Sequence, residues 1–264
     1  MRFIPMLATA AALVIPALGY TTAHAAPTTP AASATPAIPG AKNIVLVHDA
    51  FVDGSGWRVV HDILIHKGYN VSVVQLPHAT LGDDITIVRE RVSLQLGPVV
   101  LVGHGYGGEV ITEAGARDKV KALVYVAALQ PDVGEGMAQL VASMPAAGAA
   151  LKSTRDGHLS IDPATFNADY AGDLTTNRTD FMAASQVPIT SAAYNANVWT
   201  AAWRNKPSYG IVATEDRVVN PDLQRWMYQR AGAKVTEIKA SHAVQVSQPE
   251  AVALVIEEAA RSAK

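Results

Sequence analysis

Cysteine is absent from all 264 residues of the chain. Disulfide bonds, a catalytic thiolate and cysteine-ligated metals are therefore excluded. Charge is also sparse, since 17% of the residues are charged and the formal net charge is -2 at pH 7. Proteins that bind nucleic acid or anionic membranes carry dense clusters of Lys and Arg. The composition therefore argues against both kinds of partner and is typical of a globular protein with one large core.

The N-terminal region has the pattern of an export signal. Arg2 supplies a positive charge, Phe3 to Leu18 are mostly apolar, and Ala23-His24-Ala25 matches an A-x-A cleavage site. Proline and glycine interrupt the apolar stretch, which disfavours a stable membrane anchor of about 20 apolar residues. We expect a signal peptide at 1–25, a Pro/Ala/Thr-rich linker at 26–41, and export to the periplasm or beyond the cell.

The rest of the chain alternates short β-branched runs with amphipathic stretches. This alternation predicts an α/β fold, in which a mostly parallel central sheet carries helices on both faces. We expect strands at 43–47, 70–75, 99–102, 122–126, 208–213 and 234–239, and helices at 57–67, 83–96, 106–116, 221–231 and 249–263. Residues about 130–204 break the pattern without a convincing buried strand. They predict a small helical cap inserted in a single domain of 42–264.

A glycine-rich turn joins the third predicted strand to the helix that follows it. Gly103-His104-Gly105-Tyr106-Gly107 has the spacing of the nucleophile elbow G-x-S-x-G, in which a serine lies on a strained turn between strand and helix. Gly105 stands at the position of that serine. On this pattern alone, a glycine-rich turn without chemical meaning is the alternative.

Further motifs lie in a matching order along the chain. They are Val45-Leu46-Val47-His48-Asp49-Ala50-Phe51, Asp53-Gly54-Ser55-Gly56-Trp57, Ala213-Thr214-Glu215-Asp216-Arg217 and Ala240-Ser241-His242-Ala243. With the elbow, they make residues 42–263 resemble the α/β-hydrolase superfamily. Within it, the sequence is most similar to small bacterial esterase-like hydrolases related to plant methylesterases and hydroxynitrile lyases.

The resemblance implies roles for several residues. Asp216, with its neighbour Glu215 as the rival acid, orients His242, which accepts a proton. The backbone N–H groups of Tyr106 and Ala50 form the oxyanion hole. The residues expected to line the pocket are His48, Asp49, Phe51, His104 and Trp203. We expect neither an organic cofactor nor a metal, because no dinucleotide-binding or zinc-ligand spacing occurs.

Two positions depart from the pattern of such hydrolases. Gly105 has no oxygen with which to attack a substrate. Asp49 stands where relatives usually have glycine, and a carboxylate beside an oxyanion hole opposes developing negative charge unless it is protonated or turned away. The sequence presents these as two independent arguments against ordinary ester hydrolysis.

Three functions stay open. The first is a carboxylesterase-type hydrolase for a small, mostly apolar acyl compound, in which Gly105 leaves a void for a water activated by His242 and Asp216. A variant with Asp49 as base or nucleophile is disfavoured because Asp49 lies on a different loop. The second is an inactive relative that binds a small apolar ligand. The third is lyase-like chemistry by His242 and Asp49. The sequence sets neither the substrate nor the oligomeric state.

Overall fold

The computed structural model describes residues 39–148 and 150–263. The expected signal peptide and most of the expected linker lie outside these residues. Ala41, which we assigned to the linker, is buried, and its N–H donates to the carbonyl of Ala260 at 2.8 Å. The folded domain therefore includes this residue. Within the described ranges, no helix combines the length and the apolar character needed to cross a membrane.

A six-stranded parallel sheet forms the centre of the domain. Its strands are β1 (Asn43–Val47), β2 (Asn70–Val74), β3 (Val99–His104), β4 (Val120–Val126), β8 (Ser208–Ala213) and β9 (Lys234–Ile238). Their order is β2-β1-β3-β4-β8-β9, and every neighbouring pair is parallel. All residues of β1, β3 and β8 are buried, as parallel strands covered on both faces require.

Helices cover both faces of this sheet. They are α1 (Arg58–His66), α2 (Leu81–Ser93), α3 (Tyr106–Ala114), α8 (Pro221–Arg230), α9 (Val244–Ser247) and α10 (Pro249–Ser262), with short 3-10 turns at Gly54–Trp57 and Ala202–Arg204. Two separate hydrophobic clusters result. One contains residues of α2, α3 and α8, and the other contains residues of α1 and α10. The α/β class expected from the sequence is confirmed.

The cap lies between β4 and β8 in the chain. It contains α4 (Met137–Ser143), β5 (Leu151–Ser153), β6 (His158–Ile161), α5 (Phe166–Tyr170), α6 (Thr176–Ala184), β7 (Ile189–Thr190) and α7 (Ser191–Tyr194). Strands β5, β6 and β7 form a small antiparallel sheet, in which Ile161 and Ile189 are fully buried. The cap thus contains the expected helices, and it also contains a small sheet that the sequence did not predict. Strands of two to four residues are too short for their periodicity to be recognised in sequence.

The register of the central strands brings two loops together. Val47 on β1 pairs with Gly103 on β3. Asp49 and Gly105 each lie two residues further on, so they leave the sheet side by side at its carboxyl edge. The loops after β8 and β9 reach the same edge with Asp216 and His242. Ligands of open α/β sheets bind at this edge.

Candidate active site

The carboxylate of Asp49 fills the space in which a side chain at residue 105 would lie. A Cβ atom built on Gly105 would overlap both Oδ1 and Cγ of Asp49. Gly105 also has φ +52° and ψ -120°, a conformation that costs other residues about 1–3 kcal/mol. The expected void for a water is therefore occupied by protein. The two departures from the family pattern are therefore linked, because the carboxylate of Asp49 occupies the space that a side chain at residue 105 would need.

Three hydrogen-bond donors hold the Asp49 carboxylate. Oδ1 accepts from the backbone N–H of Tyr106 at 2.5 Å. Oδ2 accepts from the Tyr170 hydroxyl at 3.0 Å and from Nε2 of His242 at 3.1 Å. Tyr106 is the first residue of α3, and the N-terminus of a helix favours a negative charge. The N–H expected to serve the oxyanion hole thus binds a carboxylate of the protein itself.

His242 lies between two carboxylates. Its Nδ1 is 2.7 Å from Oδ2 of Asp216, and its Nε2 faces Asp49. An ionised carboxylate only accepts hydrogen bonds, so both ring nitrogens of His242 must donate, which describes an imidazolium ion. Burial alone would lower the pKa of His242, but the charge of Asp216 and the hydrogen bonds to both carboxylates raise it to about 10.

The ionisation of Asp49 fits that of its partner. Burial alone would raise the pKa of Asp49, but the hydrogen bond and the charge of His242 lower it to about 2. At neutral pH the site therefore holds an ionised Asp49 against a protonated His242. A protonated imidazole cannot take a proton from water. Direct activation of water by His242 and Asp216 stays a prediction, and it requires that Asp49 be neutral or displaced so that His242 can be unprotonated.

Asp216 is held firmly in place by its loop and by α8. Its Oδ1 accepts from the N–H groups of Val218 and Val219 at 2.8 and 2.9 Å, and its Oδ2 accepts from Nε2 of Gln224 at 2.8 Å. The rival acid, Glu215, is half exposed and lies 3.5 Å from the ammonium group of Lys239. Asp216 is therefore the acid that contacts His242.

Two buried histidines fix the backbone around the site. Nδ1 of His48 donates to the carbonyl of Asp49 at 2.8 Å, while its Nε2 accepts from the N–H of Leu76 at 2.9 Å. Nε2 of His104 donates to the carbonyl of His242 at 2.8 Å. Burial lowers the pKa of His48 and lowers that of His104 to about 3, so both rings are neutral. We expected both in the pocket, and the structure uses both to position its loops.

The other expected site residues differ in where they lie. Ala50 is fully buried directly after Asp49, and Phe51 is buried with a positive φ of 66°. The indole N–H of Trp203 donates to the carbonyl of Pro131 at 2.7 Å, and the guanidinium groups of Arg204 and Arg230 lie over its ring. These contacts lie outside the hydrogen-bond network of Asp49, His242 and Asp216, and the expected place of Trp203 in the pocket stays a prediction.

Sequence reasoning missed Tyr170, the residue through which the cap reaches the site. Besides its hydrogen bond to Asp49, its ring stands edge-on against that of His242, with centroids 4.9 Å apart. Burial and the charge of Asp49 both raise the pKa of Tyr170, so its hydroxyl stays a donor. No motif marks this residue. Its one signal is the four-residue spacing from Phe166, which is typical of any buried helix face.

Asp49, His104 and His242 could each offer one ligand atom to a metal ion, since these atoms lie within 4.8 Å of one another. The same atoms already serve a hydrogen-bond network, and an ion would have to displace the contact between Asp49 and His242. It would also compete with the proton that the raised pKa of His242 retains. The donor set suits the proton network better than a metal.

Comparison with known proteins agrees with this architecture. The sequence model of the alpha/beta hydrolase family matches residues 44–254. Methylesterase 2 of Arabidopsis thaliana is 26% identical over 70% of this chain and 82% of its own length, and a probable hydrolase of a Phoma species is 27% identical over 70% and 80%. The crystal structure of polyneuridine aldehyde esterase is similar in fold, with a TM-score of 0.71 and 20% identity over 83% of this chain and 98% of that one. The chain belongs to the α/β-hydrolase family.

Proposed function

We propose that the protein hydrolyses small, mostly apolar esters and that Asp49 takes the place of the absent serine. The observation that carries this proposal is the position of the Asp49 carboxylate. It shares the space of a side chain at residue 105 and contacts both the N–H of Tyr106 and Nε2 of His242. The similarity to a methylesterase supports the ester as the substrate class.

The first step uses the ionisation states of the free site. Oδ2 of Asp49 attacks the acyl carbon of the ester, and the bond from that carbon to the alcohol oxygen breaks. His242 gives its Nε2 proton to the departing oxygen as a general acid. The products of this step are the free alcohol, a neutral imidazole, and an acyl group joined to Asp49 as a mixed anhydride.

The second step begins with the neutral His242 and the acylated Asp49 that the first step has produced. With Asp49 no longer charged, His242 loses one of the two anions that raise its pKa, so it can accept a proton from water with Asp216 as its partner. The water attacks Cγ of Asp49, and the charge that develops on Oδ1 meets the N–H of Tyr106. The substrate's acid leaves with the second proton of the water, and the ionised Asp49 and protonated His242 return.

The test uses the mature protein and a panel of p-nitrophenyl esters of short acids. We expect Asp49→Asn, which keeps the size of the side chain, to lower kcat by at least about 1,000-fold. The p-nitrophenolate group leaves without a proton, so His242→Gln should accumulate the anhydride. Mass spectrometry of the peptide that contains Asp49 detects it. His66→Gln, on the exposed side of α1, is the matched control and should leave kcat unchanged.

A single turnover in heavy-oxygen water separates the two routes to hydrolysis. Attack at Cγ places the heavy oxygen in Asp49 itself, whereas direct attack of water on the substrate leaves Asp49 unlabelled. If Asp49→Asn stays active while His242→Gln does not, water activation by His242 and Asp216 is the better explanation. A parent protein that hydrolyses no ester of the panel contradicts the proposal.

The burial of the site favours a second candidate function, the binding of a small apolar ligand without turnover. Asp49 is 2% exposed, and Tyr170 and His242 are fully buried. An elbow without a nucleophilic oxygen and a carboxylate already paired with His242 are compatible with binding that does not lead to turnover. An inert parent that binds small acyl compounds with the same affinity as His242→Gln would establish this function.

We also propose that the protein is exported, on the basis of the positive, apolar and A-x-A segments of its N-terminus. Cleavage after Ala25 would give a mature chain beginning at Ala26. N-terminal sequencing of protein recovered outside the cytoplasm tests this proposal, and an intact Met1 in that fraction would contradict it.

A further inference from the structure

The first step of the proposed reaction creates a negative charge for which the expected oxyanion hole has one donor too few. When Oδ2 of Asp49 attacks the acyl carbon, the carbonyl oxygen of the ester becomes an oxyanion. Of the two backbone N–H groups expected to bind it, that of Tyr106 already donates to Oδ1 of Asp49 at 2.5 Å. His242 gives its proton to the departing alcohol. The expected pair is thus reduced to the N–H of Ala50, and a second donor has to come from another residue.

The hydroxyl of Tyr170 lies beside the atom that attacks. It donates to Oδ2 of Asp49 at 3.0 Å. In the tetrahedral intermediate, Oδ2 and the former carbonyl oxygen are bonded to the same carbon, so the oxyanion forms next to this hydroxyl. As Oδ2 makes its new bond, its negative charge passes to the oxyanion, which then becomes the stronger acceptor. The hydrogen of a hydroxyl group rotates to suit its acceptor, so the exchange needs little movement of the ring.

The cap holds this hydroxyl in position through contacts on both sides of His242. The carbonyl of Tyr170 accepts from the N–H of Ala243 at 3.0 Å. Asp173, three residues further along the cap, accepts from the N–H of Ser241 at 3.1 Å. Ser241 and Ala243 are the chain neighbours of His242, so the segment that carries Tyr170 is tied to the loop that carries the histidine. A donor that is fixed before the reaction stabilises developing charge without reorganisation.

Tyr170 keeps its proton throughout this step. Burial and the charge of Asp49 raise the pKa of its hydroxyl, so it donates a hydrogen bond without ionising. An electron pair of the carbonyl bond moves to the oxygen as Oδ2 attacks, and it returns as the alcohol leaves with the proton of His242. Tyr170 therefore ends the step with the charge and the proton with which it began.

We propose that Tyr170 is a catalytic residue and that its hydroxyl passes from Oδ2 of Asp49 to the carbonyl oxygen of the ester as charge develops there. The inference rests on the proposed function, because it takes Oδ2 as the attacking atom. It adds a requirement, since Tyr170 is the last residue of α5. The cap has to be in place over Asp49 while the ester bond breaks.

The first test removes the hydroxyl alone. The value of kcat/KM for release of p-nitrophenolate from p-nitrophenyl acetate reports the first step. We expect Tyr170→Phe to lower it by about 100-fold, which is the effect of removing one donor from an oxyanion hole. If the hydroxyl served the carboxylate of Asp49 alone, its loss would make that carboxylate more reactive, and kcat/KM would stay the same or rise. Tyr125→Phe is the matched control and should leave kcat/KM unchanged. Tyr125 is also fully buried, and its hydroxyl lies 3.0 Å from Oγ1 of Thr112.

A thionoester tests the contact itself. It carries sulfur in place of the carbonyl oxygen, and sulfur is a weaker hydrogen-bond acceptor. The parent should therefore prefer p-nitrophenyl acetate to its thionoester. In Tyr170→Phe this ratio of kcat/KM values should fall by at least about tenfold, whereas Tyr125→Phe should keep the ratio of the parent. The ratio does not depend on how much of a preparation is folded, because both esters are measured with the same protein.

Two results would overturn this inference and leave the proposed function standing. One is a Tyr170→Phe variant as active as the parent. The other is an unchanged ratio between the two esters in that variant, which would mean that Tyr170 acts only by holding Asp49. In both cases Asp49→Asn would still have lost hydrolysis. A parent that hydrolyses no ester, or an Asp49→Asn variant as active as the parent, would overturn the proposed function and this inference with it.

Discussion

At the scale of single residues, the side chains of positions 49 and 105 compete for one space. In the present sequence Asp49 holds it, and its carboxylate is bound on every side by donors from α3, the cap and the loop after β9. A serine at residue 105 would need the same volume. Substitutions at the two positions should therefore have non-additive effects on the free energy of unfolding, because the two residues are in contact.

We expect Gly105→Ser alone to be strongly destabilising and Asp49→Gly with Gly105→Ser to be much less so. The single variant combines overpacking with a strained φ, each worth about 1–3 kcal/mol, and the double variant removes the overpacking. The free energy of unfolding in urea for the parent, both single variants and the double variant gives the coupling, which should be about 1–3 kcal/mol. Additive effects would show that the two side chains do not share the space. Gly82→Ser reports the cost of a serine at an unstrained glycine.

The sequence identified most of the residues of the site but not the contacts between them. It marked Gly105, Asp49, Asp216 and His242 one by one, because each lies in a recognisable motif. It treated Asp49 and Gly105 as unrelated, because only the register between β1 and β3 makes them neighbours. Tyr170 escaped notice for a similar reason, since its contact with Asp49 spans 121 residues of chain.

At the scale of elements, helix α8 holds the loop that carries Asp216. Gln224 of this helix is fully buried. Its Oε1 accepts from the N–H of Ala213 at 3.2 Å, and its Nε2 donates to Asp216 and to the carbonyl of Val219, each at 2.8 Å. One side chain thus joins the end of β8 to the acid and to the loop beyond it.

Replacing Gln224 with leucine should therefore be costly. It leaves a buried N–H, a buried carbonyl and one carboxylate contact unsatisfied, at about 1–3 kcal/mol for each buried group. We expect Gln224→Leu to lower the free energy of unfolding by at least about 2 kcal/mol. Gln229→Leu, at an exposed position of the same helix, should change it by less than about 0.5 kcal/mol. Equal effects of the two variants in urea denaturation would contradict this role.

The elements of the sheet were far easier to predict than those of the cap. Strands such as β1 and β8 are mostly apolar and buried throughout, and they coincide with the predicted ranges. The cap strands are two to four residues long and depend on pairing with each other and on burial against the rest of the cap. Their local sequence has no periodicity to recognise, so tertiary contacts decide their structure.

At the scale of the whole molecule, buried histidines should set how stability varies with pH. Burial lowers the pKa of His104 to about 3 and that of His78 to about 4, from an ordinary value of 6.5. Below pH 6.5 these histidines are protonated in the unfolded chain but stay neutral in the folded protein. The free energy of unfolding therefore decreases as the pH falls. Burial also raises the pKa of Asp84 to about 6, which offsets part of this loss.

His242 acts in the opposite direction. Its folded pKa of about 10 lies above the ordinary 6.5, so its stabilising effect is complete below pH 6.5 and is lost as the pH rises toward 10. Together, these groups predict a maximum of stability near pH 6.5, with a fall on either side. The free energy of unfolding in urea, measured at about pH 5, 6.5 and 9, tests this prediction. His242→Gln should lessen the alkaline fall and keep the acidic one, and a parent whose free energy of unfolding does not decrease between pH 6.5 and pH 9 would contradict the prediction.

The shared space of residues 49 and 105 also constrains how such a site can arise by mutation. A serine at residue 105 and the present rotamer of Asp49 cannot coexist. The return of serine therefore requires the Asp49 carboxylate to turn away and give up its hydrogen bonds to Tyr106, Tyr170 and His242. The present hydrogen-bond network thus disfavours the return of serine at residue 105 for as long as Asp49 remains.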